Sequence, residues 1–247
     1  MTRPLGPPMA IAHRGLSDAR RGGTYLLVAG TLFAASGLLF LVAQAGRFDW
    51  RSVRSVSEYW RSSPGVPITW ALVNGTAAVA SLIAARGVLG VPEHVRRGRE
   101  PWWRVLSGLA LVGYAVIAIT NVVDWFSIGR MAQAFAGLDA DGQAALERVG
   151  SATLDPTLAW RFLTLGPWMA LVSGVAWRRG LLMPLAAPLG TVGGTLAVVF
   201  SLTSTSWSRA PIVGAAVAVV VHPLWLIATG LTLRQPQDSA GGHASSG

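Results

Sequence analysis

Six times in this sequence an apolar stretch runs long enough to cross the ~30 Å hydrocarbon core of a bilayer as a helix, and nothing else constrains its fold as strongly. The stretches are residues 24–45, 66–85, 105–128, 158–177, 181–203 and 211–233. Asp124 and Arg161 are the only formal charges inside them. Within lipid each backbone N–H and C=O must be satisfied by its own segment, so each stretch is expected to be a helix. The fold expected is all-α: a polytopic membrane bundle of six transmembrane helices.

Composition agrees with that reading. The chain of 247 residues is 52% hydrophobic and 13% charged, outside the range of an ordinary soluble domain. Its 20 basic residues are all Arg, against 11 acidic ones, for a formal charge of +9. The Arg residues are scattered through short loops, which excludes a nucleic-acid partner as the reason for the charge. No Cys is present, so thiolate nucleophiles, disulfides and Cys-ligated metals are excluded.

Ala43-Gln44-Ala45 has the small-x-small form of a signal-peptide cleavage site. The preceding apolar run exceeds the ~7–15 residues of a signal core, so the first stretch is read as a span. Residues 1–23, rich in Pro, Gly and Arg, are expected to be a flexible cytoplasmic segment, and 234–247 a disordered cytoplasmic tail. Residues 131–149 are too polar to enter the membrane. Met131, Phe135, Leu138, Leu146 and Val149 nevertheless recur near helical spacing, which predicts a short external amphipathic helix between spans three and four. Asp139 or Asp141 would cap it. Asp139-Ala140-Asp141-Gly142 is not a calcium loop, because Ala144 stands where that loop needs its glycine.

Six spans place both termini on one side. With the termini inside, the inner segments hold 12 Arg and the outer ones 7, so the positive-inside rule puts both termini in the cytoplasm. Trp102, Trp103 and Trp177 then fall at inner ends, and Trp50, Trp60, Trp125, Trp160 and Trp207 near outer ends, where interfacial anchoring expects them.

Lipid gives helices no hydrophobic reason to associate, so small residues that allow close approach should mark the packing faces. Gly166, Ala170 and Gly174 form one such ladder, Ala186, Gly190 and Gly194 a second, and Gly214 with Ala218 a third. Pro167, Pro184 and Pro188 are candidate kinks.

The polar residues within the spans are the candidate site. Taking the span ends above and ~1.5 Å of rise per residue, Asp124 lies about 6 Å and Arg161 about 5 Å from the outer surface, on consecutive antiparallel helices. An ion pair between them is expected, because an unpaired charge in lipid costs several kcal/mol. Asn121 and Asn74 come out about 10 Å deep, and His222 about 16 Å, near the midplane. Tyr114, Asn121 and Asp124, spaced by seven and three, share one face of the third span. Asp124, Arg161, Asn121, Asn74 and His222, with hydroxyls at Ser201, Thr203, Ser204, Thr205, Ser206 and Ser208, are therefore the candidate lining of an outward-opening polar pocket. No second metal ligand accompanies His222, so no metal and no cofactor is expected.

The run His222-Pro223-Leu224-Trp225-Leu226-Ile227-Ala228-Thr229-Gly230-Leu231-Thr232-Leu233 resembles the closing helix of uncharacterised six-helix bacterial integral membrane proteins. The resemblance covers about a dozen residues. It implies a multi-pass protein of the bacterial cytoplasmic membrane and carries no activity.

Three functions fit these observations. One is a module that binds or passes a small polar molecule, a proton or a lipid headgroup through the outward pocket. Another is a structural or accessory subunit, with a membrane protein or a second copy as partner. The third, a membrane enzyme, finds neither a nucleophile motif nor a metal constellation to support it.

Overall fold

The computed structural model describes residues 7–44, 67–91, 102–178, 180–182, 184–203, 213–214 and 216–235. Within its helices, the side chains of 7–17, 43–44, 67, 102, 127–129, 131–132 and 146–161 are outside the description. Among the described residues every regular element is helical. In chain order these are α1 (Pro7–Gln44), α2 (Pro67–Val88), α3 (Trp102–Ala136), α4 (Ala140–Arg178), α5 (Ala186–Thr203) and α6 (Val217–Arg234). Among the described residues, five segments are long and apolar enough to cross a membrane: Asp18–Val42, Ile68–Val88, Trp103–Phe126, Ala186–Thr203 and Val217–Arg234. The remaining predicted span, 158–177, lies within α4, where side chains are described from Phe162 on.

The helices form a ring in chain order. Each packs on its sequence neighbours, and α6 closes the ring by packing along α1. Helix faces sort by chemistry in a way that would be unfavourable in water. On α3, Val105, Val112, Ile119 and Phe126 recur every seven residues and are all exposed, whereas Leu106, Ala110, Tyr114 and Asn121 are buried. Large exposed apolar faces of this kind suit a hydrocarbon solvent, since an apolar patch of that extent in water marks an interaction surface.

Glycine sets how closely the helices approach. Gly23, Gly30 and Gly37, seven residues apart on α1, all lie against α6. A Cβ on Gly23 would stand 2.8 Å from the Gly230 carbonyl oxygen, and one on Gly30 2.9 Å from that of Pro223. On the other flank of α1, Gly22 abuts Gly90. The predicted ladders on α4 and α5 meet as expected: a Cβ on Gly166 would lie 2.8 Å from the Gly194 carbonyl oxygen, and one on Gly194 2.6 Å from Ala170 N. Gly174 is the exception, since a Cβ there would meet nothing within 4 Å.

Several boundaries differ from expectation. Residues 7–23, expected to be flexible, are the opening turns of α1. Gly22 and Gly23 do not break the helix, because their missing side chains let α2 and α6 come close. The stretch 131–149 is not a separate external helix: residues up to Ala136 continue α3, and α4 begins at Ala140. Asp139 caps that start, its Oδ1 accepting the Gly142 N–H at 2.8 Å. Gln143 Nε2 donates to the Phe135 oxygen at 3.1 Å and ties the two helices at the joint.

Residues 181–185 precede α5 and do not open it. Gly180, with φ 64°, ends α4 in a Schellman turn, with Leu181 N bonded to Ala176 O and Gly180 N to Trp177 O. Pro184 therefore sits in the turn, while Pro188 stands in the first turn of α5, where a missing N–H costs little. Trp103 packs into the core instead of anchoring at an interface, whereas Trp125 and Trp177 are exposed. The predicted tail beyond Gln235 and the first six residues lie outside the described residues.

Candidate functional site

His222 stands where α6 changes winding. Val217–Val221 form a π-helical turn, and the His222 N–H bonds to the Val217 oxygen five residues back. Pro223 follows and has no N–H to offer the turn before it, so one extra residue is absorbed at this point. Gly37 of α1 faces the same turn, and a Cβ there would lie 3.3 Å from the Val219 oxygen.

The imidazole is turned into the ring. His222 is 5% exposed, and the Tyr114 hydroxyl of α3 lies 2.9 Å from its Nε2 in a buried hydrogen bond across the bundle. Phe33 of α1 packs edge-on against it, with centroids 5.0 Å apart at 65°. One turn further along α6, the Trp225 Nε1–H donates to Ser173 Oγ of α4 at 2.9 Å, and Trp168 stands T-shaped to Trp225 at 5.1 Å. The centre is thus filled with aromatic side chains joined by two buried hydrogen bonds. Gly190 of α5 makes room for the second of these, since a Cβ there would overlap Ser173 Oγ and Trp225 Nε1.

Toward the Gln44 end of α1, Ser36, Asn74 and Asn121 are buried. Ser36 Oγ donates to the Val73 oxygen of α2 at 3.0 Å. Next to it Asn74 is 5% exposed, and among the described residues its Nδ2 has no hydrogen-bond partner. Asn121 of α3 is buried and donates from Nδ2 to its own helix, to the Ile117 oxygen at 2.7 Å. Asp124 is half-buried and engaged. Gly75 lies against Trp125, which brings the Asn74 turn of α2 beside the Asn121–Asp124 stretch of α3.

Of the predicted lining residues, Asn74, Asn121 and His222 all face into the ring. His222 is committed to Tyr114 and Asn121 to its own backbone. Arg161 belongs to α4, which packs beside α3, and its side chain lies outside the described residues, as do Ser204, Thr205, Ser206 and Ser208. Ser201 and Thr203 hydroxyls bond to the carbonyls of Ala197 and Val199 within α5.

Phe33, Trp168, Ser173 and Trp225 were not singled out by sequence, where they read as ordinary apolar-face residues. The heptad of glycines on α1 was the available signal, because it marks the face on which α6 and His222 sit. At the opposite end of the bundle, Gly174, Trp177 and Arg178 of α4 and Thr191 of α5 line an open cleft of about 460 Å³. No family model matches this chain, and no curated protein or solved structure is detectably similar to it.

Proposed function

We propose that the chain is a six-span integral protein of a bacterial cytoplasmic membrane, with both termini in the cytoplasm. In this reading it binds a small polar molecule, a proton or a lipid headgroup in the outer half of its helix ring. The observation that carries the proposal is Asn74, whose buried amide nitrogen has no acceptor among the described residues. A buried donor left unmade costs about 1–3 kcal/mol, so an occupant that accepts from it is the economical explanation. Asp124 and Asn121, on the neighbouring stretch of α3, complete the wall. The packed aromatic centre below makes binding the better reading than free passage. Movement through the ring would require the Tyr114–His222 contact to open.

The test is a thermal-shift screen of the purified protein in detergent against amino acids, polyols and inorganic anions. A stabilising solute is expected, and Asn74→Leu should abolish its effect while Asp124→Asn weakens it. A solute that stabilises wild type and Asn74→Leu equally would count against the site.

One observation favours a second reading, a structural or accessory subunit joined to a membrane partner or another copy. Asn121 Nδ2 and His222 Nε2 both bond inside the chain, as in groups that fix helix register.

A further inference from the structure

We propose that the cleft between the end of α4 and the start of α5 holds the phosphate headgroup of an anionic phospholipid, gripped by Arg178. The inference rests on the membrane-spanning reading above and is independent of the Asn74 site. Gly174, Trp177 and Arg178 stand at i, i+3 and i+4, so they share one face of α4, and Thr191 walls the cleft from α5. The two helices are in backbone contact at Gly166 and Gly194, yet Gly174 has nothing over it. The glycine there leaves a floor for something else.

The chemistry of the walls identifies the occupant. Arg178 is exposed in the last turn of α4, and among the described residues no acidic side chain lines the cleft. A guanidinium matches phosphate oxygens with paired N–H donors. With a cation and no carboxylate, the cleft accommodates a net negative headgroup better than a zwitterionic one, whose ammonium would find no partner. Trp177, 57% exposed, sits where an indole favours the headgroup layer. Leu171, on the same face one turn deeper, and Val192, next to Thr191, are both exposed and give the acyl chains an apolar track. A free phosphate ion would share the Arg178 contact but would not use that track.

The experiment is native mass spectrometry of the full chain purified from membranes in neutral detergent, titrated with phosphatidylglycerol, phosphatidylcholine or inorganic phosphate. Wild type is expected to retain phosphatidylglycerol in preference to phosphatidylcholine. Arg178→Gln should weaken that retention roughly tenfold, the size of one charge-assisted contact. Gly174→Leu keeps the charge but fills the cleft and should weaken it similarly, while Arg104→Gln, an exposed cation elsewhere, should leave it unchanged. Equal retention of the two lipids overturns the proposal, as does an Arg104→Gln loss as large as that of Arg178→Gln. Arg178-dependent binding of inorganic phosphate without lipid preference also overturns it, in favour of a free-anion site. Recovery of the chain in the soluble fraction would instead defeat the membrane reading itself.

Discussion

The Tyr114 hydroxyl is the clearest case of a single group organising the interior, because its hydrogen bond to His222 joins α3 to α6 across the ring. Tyr114→Phe keeps the ring packing and leaves His222 Nε2 buried without that partner. Buried polar contacts within membrane bundles are worth about 0.6 kcal/mol on average and up to about 1.7, since the unfolded chain in lipid finds partners too. A loss of about 1 kcal/mol in reversible unfolding in mixed micelles is therefore expected for Tyr114→Phe. In a His222→Leu background the same substitution should cost almost nothing. Equal costs in both backgrounds would mean that the hydroxyl acts through packing alone. The sequence placed Tyr114 and Asn121 on one inward face, and both are buried, because seven-residue spacing holds wherever the helix lies. It could not reveal that Asn121 would bond its own backbone, which depends on a rotamer.

At the level of elements, two of the closest seams in the ring are α1 against α6 and α4 against α5. Both are glycine seams, and only the second stood out in the sequence, as four-residue ladders. The α1 seam was obscured because Gly22-Gly23 looks like a helix stop in water, whereas in a membrane bundle glycine is the residue that permits close approach. The continuous helices through 131–136 and 140–149 were obscured for a related reason. Polarity marks where a chain leaves lipid, but a helix continues past that point until a three-residue break, Gly137 to Asp139, allows it to turn.

The seams make a paired prediction. Gly190→Ala drives a methyl into the Trp225–Ser173 contact and should destabilise the purified protein by about 1–3 kcal/mol in the same unfolding assay. Gly174→Ala, four positions beyond the Gly166–Ala170 pair, enters open space and should shift stability by less than about 0.5 kcal/mol. Equal effects would show that the α4–α5 seam is not where the glycines place it.

For the whole molecule, the defining property is that apolar side chains cover the outer faces as well as filling the core. Large apolar side chains such as Val105, Val112 and Ile119 look outward, and Asn74, Asn121, Ser173 and His222 look inward. Because the chain has no Cys, single cysteines can carry a nitroxide without a background label. The most direct measurement is the collision rate of nitroxides at Ile119→Cys and Asn74→Cys with dissolved oxygen and with a polar nickel chelate, in reconstituted bilayers. The Ile119 label is expected to meet oxygen freely and the chelate hardly at all, while the Asn74 label meets the chelate. A chelate that reaches the Ile119 label freely, or an Asn74 label that behaves like the Ile119 one, would contradict the proposed ring, with apolar faces toward lipid and a site at Asn74 that polar solutes reach.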